Sequence, residues 1–396
     1  MHVGKESAWL LPDAIEEVLP PAASQLERLR QSVLEICALW GYQQVMPPAI
    51  EFLESLLSGS AHDLDLDTFK LTDQLSGRMM GVRADITPQA ARIDAHQLKS
   101  AGPTRLCYTG TVLKTRPDGL GNSRNPLQMG AELYGHAGVE SDIEVIALMV
   151  QVLQAAGAKD LHIDLGHVGI FRGLVEDAAQ NADNETRLWD ALQRKSTPDL
   201  QVLMGELSLG KQQRDWIAAL PDLNGGPEVL DEAQIRLAGA GAGVQQALSA
   251  LLAITDAVSR WLPEVTLHFD LGELRGYRYH TGVVFAAYVP GRAQELARGG
   301  RYDSIGAVFG RSRAATGFST DLKSLLSLND AQPPVPAAIA APWQEDAQLR
   351  QQVMDLRAAG EVVIWMLPGH EFTPTTLGCN RKLTLTTDAG WQVRPV

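Results

Sequence analysis

The hydrophobic pattern near the start of the chain predicts an amphipathic helix over residues 24–40. Ser24 and Glu27 have the spacing of a capping box, and Gly41 is a residue type that commonly follows the end of a helix. The apolar residues that recur at helical spacing are Leu26, Leu29, Val33, Ile36, Cys37 and Trp40.

Two later segments, residues 105–115 and 126–134, have the composition of strands and are separated by turn residues, which predicts a long-looped hairpin. Before them, residues 41–52 form a short predicted strand that is interrupted by Pro47 and Pro48. Because proline cannot donate a hydrogen bond to a sheet ladder, we expect this strand at a sheet edge or an interface.

The middle of the chain changes from mixed to helical patterning. A helix is predicted over residues 141–157 and a strand over residues 161–169. Residues from about 170 to 262 are helical in pattern and indicate an all-helical insertion. Strands return at residues 265–271 and 278–289, so the pattern is that of an α+β body with a helical insertion.

The last part of the chain predicts a small α/β unit. Residues 332–342 are rich in proline and alanine and are predicted to be a linker. A helix that ends at Gly360 and a strand at residues 362–367 follow. We therefore expect two domains, residues 1–330 and residues 331–396, the second relying on its neighbour for stability.

Composition excludes several classes of protein. The chain has 396 residues, of which 45% are apolar and 20% charged, as in ordinary globular proteins of two or three domains. A net charge of −13 argues against sequence-independent nucleic-acid binding, which needs a basic surface. Three distant cysteines without a CxxC pair fit a reducing cytoplasm, and no segment reaches the roughly 18 apolar residues of a membrane helix. His136, His167 and His268 have no partner at metal-ligand spacing, so no metal site is predicted.

The second strand of the hairpin carries the first candidate site. Residues two apart share a face of a strand, so Gln128, Gly130 and Glu132 lie together. The glycine leaves a gap for a small ligand between two polar side chains, of which one is negative. This set suits a ligand with an amine or an imidazole. The alternative is an ordinary solvated strand face, which spacing alone favours.

Residues 275–282 concentrate arginine, tyrosine, histidine and glycine. Arg275 has the planar fork that binds a carboxylate, and Tyr279 and His280 suit an aromatic or polar ligand. The alternative is an interfacial turn with stacked arginines.

Two further segments contribute candidates. Residues 297–304 form a glycine-containing turn with Tyr302, which we expect to be buried. Asp85 and Thr87 precede Pro88, where either could bind a ligand or cap the helix that begins there. For each residue taken alone, capping is the favoured interpretation.

These segments together resemble a known family. RADITP, PLQMGAELYG, LRGYRYHTG and GGRYD occur in the order and spacing of the histidyl-tRNA synthetase core, over roughly residues 9–330. The resemblance implies a class II synthetase fold, an antiparallel sheet flanked by helices, in which the first helix and GYQQVMPPAIE form a dimer interface.

The sequence departs from the synthetases where they bind ATP. In the second conserved motif of these synthetases an arginine binds the ATP phosphate, and Lys114 stands at its position. The third motif carries an arginine that stacks on ATP. Its positions are occupied here by Asp321, Lys323 and Ser324, so that arginine is missing. Since lysine and serine cannot replace a bidentate arginine, catalysis is expected to be lost. The resemblance nevertheless implies a retained histidine pocket that comprises Asp85, Thr87, Gln128, Glu132, Arg275, Tyr279, His280 and Tyr302.

A retained pocket beside a lost ATP site is similar to the regulatory subunits of ATP phosphoribosyltransferase in bacterial histidine biosynthesis. That family implies a non-catalytic protein without cofactor or metal, which assembles four plus four with the short-form catalytic subunit and binds L-histidine as feedback inhibitor, without membrane or tRNA. Three alternatives stay open: a divergent active histidyl-tRNA synthetase, a histidine-binding adaptor for another partner, and a decayed paralogue that binds nothing.

Overall fold

The computed structural model describes residues 9–57, 62–119, 121–175, 182–207, 209–273, 276, 279–328, 337–369, 373–388 and 390–396. The chain divides into two compact units, Met1–Asn329 and Asp330–Val396.

The first unit combines strands and helices along its whole length. Its described strands are β1 (Gln43–Gln44), β2 (Ile50–Phe52), β3 (Phe69–Thr72), β4 (Met79–Val82), β5 (Thr104–Thr111), β6 (Leu127–Tyr134), β7 (His162–His167), β8 (Asn224–Gly225), β9 (Thr266–Asp270), β10 (Val283–Tyr288), β11 (Ala297–Arg301) and β12 (Ala315–Asp321). Its described α-helices are α1 (Ala22–Leu39), α2 (Leu53–Leu56), α3 (His62–Asp67), α4 (Thr87–Arg92), α5 (Val139–Ala155), α6 (Val168–Val175), α7 (Ala182–Gln193), α8 (Thr197–Glu206), α9 (Lys211–Ala219), α10 (Glu228–Arg236), α11 (Ala242–Trp261) and α12 (Leu322–Leu325). A π-helical turn (Ile93–Leu98) and 3₁₀ turns (Leu220–Asp222, Ile305–Phe309 and Leu326–Leu328) complete it.

Within the described residues, nine strands form one sheet in the order β1-β5-β6-β12-β11-β10-β7-β9-β8. Its pairs are antiparallel except β1 with β5 and β7 with β9. The strand that precedes Pro47 and Pro48 is β1, at the edge of the sheet, which confirms the position predicted from the prolines. A separate sheet has the order β2-β4-β3.

Helices α1, α5, α6 and α11 cover one face of the large sheet and form the main core with it. The side chains of Met129, Ala131 and Leu133 point into this core, as the alternation along β6 predicts. Burying a large aliphatic or aromatic side chain contributes roughly 1.5–3 kcal/mol, so this face is a major source of hydrophobic stabilisation.

The first helix begins earlier than its sequence pattern predicts. It starts at Ala22, its N-cap is Pro21, and no side chain caps it. Ser24 therefore lies inside the helix, and Glu27 accepts a 2.8 Å hydrogen bond from Arg30 Nε instead of completing a capping box. The predicted end is confirmed, because Gly41 has a φ of +81° after the last turn.

The segment between β7 and β9 is almost wholly helical, from α6 to α11. The prediction of an all-helical segment is wrong at Asn224–Gly225, which pair with Asp270 and Phe269 and extend the sheet by one short strand. Two residues can join a sheet edge without a hydrophobic pattern, because the backbone makes the contact.

The second unit has its own core. Strands β13 (Ala338–Pro342), β14 (Val363–Met366), β15 (Cys379–Thr386) and β16 (Gly390–Pro395) form a mixed sheet in the order β14-β13-β15-β16, and α13 (Ala347–Ala358) packs on it. The predicted linker is thus wrong over Ala338–Pro342, which are a central strand: small side chains fit beneath close-packed neighbours, and Ile339 is fully buried. In the parts of both units that the structure describes, no helix is long and apolar enough to cross a membrane.

Candidate functional site

The β5–β6 hairpin places two polar side chains on the sheet face that faces away from the main core. Gln128 and Glu132 share this face, as predicted, but Glu132 is only 1% exposed. The interpretation of this strand as an ordinary solvated face is therefore wrong, since α4 and neighbouring side chains cover it.

A close approach explains the glycine between them. Gly130 pairs with Tyr108 on β5, and a Cβ at Gly130 would overlap the phenol of Tyr108. The gap predicted for a ligand is thus occupied by this fully buried tyrosine. A second glycine on the other neighbouring strand, Gly317, leaves room for the carboxylate of Glu132 itself.

Two phenols hold the Glu132 carboxylate. Tyr108 Oη donates to Oε1 at 2.8 Å, and Tyr302 Oη donates to Oε2. Tyr302 is 2% exposed, which confirms its predicted burial. Among the described residues, no cationic side chain lies close enough to neutralise the carboxylate. A buried carboxylate without a counter-ion is costly, and such groups concentrate at functional sites.

Burial decides the protonation of this cluster. Desolvation raises the pKa of Glu132 to about 8, although the hydrogen bonds from Tyr302 and Tyr108 oppose the shift. Desolvation also raises the pKa of both tyrosines well above the ordinary value, so they remain hydrogen-bond donors. A cation that entered the site would favour the ionised carboxylate.

Asp85, Thr87 and Gln128 extend the network. Gln128 Nε2 donates to Asp85 Oδ1 at 2.7 Å, and the same oxygen accepts the backbone N–H of Thr87 at 3.0 Å. Gln128 Oε1 accepts the N–H of Ile86 at 2.9 Å, and the hydroxyls of Thr87 and Tyr108 lie 2.9 Å apart. Asp85 therefore accepts a hydrogen bond from the first residue of α4 and also orients Gln128, while its role in ligand binding stays a prediction.

Tyr279 and His280 lie next to this network. The ring of Tyr279 stacks on that of Tyr302 with centroids 5.1 Å apart, and His280 meets Tyr279 edge-on at 5.3 Å. A Cβ at Gly300 would lie 2.7 Å from the His280 ring, which therefore rests on β11. Tyr279 Oη is buried without a hydrogen-bond partner among the described residues. The remaining candidate, Arg275, lies outside the described residues.

Sequence reasoning missed Tyr108. The available signal was its position in the hairpin: opposite a glycine, on the same face as Gln128 and Glu132. Elsewhere, no group of three or more His, Cys, Asp or Glu side chains in the described chain is arranged to hold a metal ion.

The residues at the synthetase ATP motifs are engaged with their neighbours. Lys114 Nζ lies 3.4 Å from Asp118, whose carboxylate also receives Arg298 at 2.7 Å. Asp321 Oδ1 accepts the backbone N–H groups of Leu127 at 2.9 Å and Lys323 at 3.0 Å, and so joins the start of β6 to α12.

Comparison with known proteins agrees with this geometry over both units. Residues 14–325 match the sequence model of the family described as Histidyl-tRNA synthetase. Residues 336–394 match that of the ATP phosphoribosyltransferase subunit HisZ C-terminal domain.

Two relatives of similar length share the same name. An ATP phosphoribosyltransferase regulatory subunit of Alkalilimnicola ehrlichii is 54% identical over 99% of this chain and 98% of its own. One of Thioalkalivibrio sulfidiphilus is 55% identical over 97% of this chain and 98% of its own.

Solved structures show the same fold. An ATP phosphoribosyltransferase regulatory subunit/histidyl-tRNA synthetase from Bacillus halodurans has a TM-score of 0.82 and 27% identity, covering 93% of this chain and 96% of its own. Histidyl-tRNA synthetase from Nostoc has a TM-score of 0.75 at 19% identity over 96% of this chain and 92% of its own, a likeness of fold alone. With relatives this close along its whole length, and with a synthetase core followed by the matching C-terminal domain, the chain belongs to the family of ATP phosphoribosyltransferase regulatory subunits.

Proposed function

We propose that this chain is a non-catalytic subunit that binds L-histidine at the Glu132 cluster and thereby inhibits the catalytic subunit of ATP phosphoribosyltransferase. The observation that carries the proposal is the Glu132 carboxylate, 1% exposed, held by two phenols and without a counter-ion in the described chain. Such a site favours a ligand that brings a positive charge, and the ammonium group of an amino acid supplies one.

The neighbouring groups suit the rest of the ligand. Gln128 has its oxygen occupied by Ile86 and one N–H directed at Asp85, so its second N–H is available to an acceptor. The histidine carboxylate then meets Gln128 or Arg275. The imidazole lies against Tyr279 and His280, whose aromatic edges and free hydroxyl offer stacking and a hydrogen bond.

Entry of a ligand requires a change in the groups that cover Glu132. The sheet side is continuous, since β6 is paired with β5 and β12 through the whole site. Tyr279 and His280, by contrast, are only partly buried and lie on the connection between β9 and β10. Histidine would then enter from the side of Tyr279 and His280.

Loss of synthetase catalysis is part of the proposal. Lys114 is engaged by Asp118, and Lys323 lies 3.8 Å from Glu16, so both lysines face acidic neighbours of their own chain. The partner is the short-form catalytic subunit, in a complex of four plus four chains, and regulatory chains associate with each other through the surface of α1. The names of the relatives support a catalytic partner.

Reconstitution tests this proposal directly. Formation of phosphoribosyl-ATP is followed with the short-form catalytic subunit of the same organism, with and without this chain, and with and without histidine. The rate is expected to rise when the chain is added and to fall when histidine follows. An unchanged rate with both proteins folded would contradict the regulatory role, and histidine-dependent exchange of pyrophosphate into ATP would favour an active synthetase instead.

A further inference from the structure

A second candidate site lies between two short helical turns of the first unit. It is a cavity of about 340 Å³ between the π-helical turn Ile93–Leu98 and the 3₁₀ turn Ile305–Phe309. Its lining residues are Ala95, His96, Lys99, Phe309, Gly310 and Arg311.

The cavity is locally cationic in a chain whose net charge is −13. The one acidic residue of the π-helical turn, Asp94, is buried. Its two carboxylate oxygens accept hydrogen bonds from Arg313 Nη1 at 2.8 and 3.0 Å. Within the described residues, no carboxylate pairs with Lys99 or Arg311, and the guanidinium of Arg311 contacts a backbone carbonyl instead. Neither positive charge is neutralised by a carboxylate of the described chain, which favours an anion nearby.

One donor of the Arg311 guanidinium is buried and unused. Arg311 Nη2 donates to the carbonyl of Ser100 at 2.6 Å, which fixes the guanidinium in place. Arg311 Nη1 is buried and has no hydrogen-bond acceptor among the described residues. Leaving such a donor unsatisfied costs about 1–3 kcal/mol, more for charged groups, and an oxyanion that displaced the atoms covering Nη1 would satisfy it.

The backbone conformation at Lys99 also points to a functional role for this residue. Lys99 ends the π-helical turn in the left-handed region, with φ 49° and ψ 34°. This conformation favours glycine or asparagine, and a longer side chain there is strained. Strained residues cluster at functional sites, and this one carries a charge to the rim of the cavity.

We propose that this cavity binds a small organic phosphate. The phosphate group accepts from Arg311 and pairs with Lys99, and the organic part packs against Phe309. The ring of Phe309 is held in the apolar cluster that also contains Ile305 and Tyr302. A long polyanion such as RNA is disfavoured because the rest of the chain is acidic, whereas a small ligand fits a cavity of about 340 Å³. The proposal does not depend on the function of the Glu132 site.

Isothermal titration calorimetry on the full chain tests it with ribose 5-phosphate, inorganic phosphate and ribose as probes. We expect ribose 5-phosphate to bind, phosphate to bind more weakly and ribose not at all. Affinity should fall as salt rises, because the contact is electrostatic. The Lys99→Asn variant should bind ribose 5-phosphate at least about tenfold more weakly.

The variants separate binding from folding. Asparagine tolerates the left-handed backbone, so Lys99→Asn should melt at the same temperature or higher while it loses affinity. The matched control is Arg214→Gln, which removes one charge from an exposed position on α9 and should bind like the wild type. Absence of binding to the wild type, equal loss in both variants, equal affinity for phosphate and ribose 5-phosphate, or displacement of the sugar phosphate by a short RNA would each overturn the proposal.

Discussion

Replacing Glu132 with glutamine removes the ability of this side chain to ionise and leaves its shape almost unchanged. In the unliganded protein at about pH 7 the carboxyl group is largely protonated, because its pKa is about 8. The amide has the same shape and can still accept from Tyr302, while Tyr108 keeps its contact with Thr87. Glu132→Gln should therefore leave the fold intact, and at about pH 7 it should raise the free energy of unfolding by up to about 3 kcal/mol, because glutamine need not take up a proton on folding.

The effect on histidine binding should be much larger and should depend on pH. Loss of one member of a buried, hydrogen-bonded charge pair costs about 2–5 kcal/mol. The wild type must first ionise Glu132, which costs about 1.4 kcal/mol at one pH unit below its pKa. The net loss is thus about 2 kcal/mol, or about 30-fold in Kd, at about pH 7. Above the pKa the ionisation cost disappears, and the loss should reach about 300-fold.

Titration calorimetry with L-histidine at about pH 7 and about pH 8.5 measures both values, and thermal melting confirms that the variant is folded. The control is Glu140→Gln, a carboxylate exposed in the first turn of α5, which should bind like the wild type. If folded Glu132→Gln bound histidine within about threefold of the wild type at both pH values, the charge of Glu132 would have no part in recognition.

Four further outcomes are expected. Histidine binding at one pH unit below the pKa of Glu132 should release close to one proton, seen as a dependence of the calorimetric heat on buffer ionisation enthalpy; no release would contradict the coupling. Because that pKa is raised on folding, the stability of the unliganded protein should fall as pH increases from about 4.5 to 8, and melting with histidine should show a ligand shift that grows over the same range. Gly130→Ala should cost about 1–3 kcal/mol in urea unfolding, since Tyr108 cannot move away from the added methyl, and an unchanged midpoint would contradict the packing. Arg313→Met should cost about 3–5 kcal/mol because it leaves Asp94 charged and buried, whereas the double variant with Asp94→Leu should recover most of it.

Short-range regularities made much of the fold predictable. The alternation along β6 assigns Met129 and Leu133 to the core and Glu132 to the other face, because side chains on a strand alternate whatever the tertiary context. The two prolines place β1 at an edge for an equally local reason, since each removes a backbone donor.

What could not be predicted depends on contacts between distant segments. A glycine such as Gly130 signals space, but only the register of β5 against β6 shows that Tyr108 occupies it. Burial of Glu132 likewise needs α4 above the sheet, and no feature of the strand itself distinguishes a covered polar face from a wet one. The central strand Ala338–Pro342 has the composition of a linker, because alanine and proline can serve in either role and the neighbouring strands decide.

One hydrogen bond determines where a ligand at Glu132 could be sensed. Arg172, on α6, donates to the backbone carbonyl of His280 at 3.3 Å. The sheet beneath Glu132 has little freedom to move, because β6 is paired with a strand on each side and Asp321 binds the backbone at its start. A conformational change caused by histidine would therefore pass through the connection that carries His280 and, through the carbonyl of His280, to the helices that follow β7. It would not need any rearrangement of the sheet.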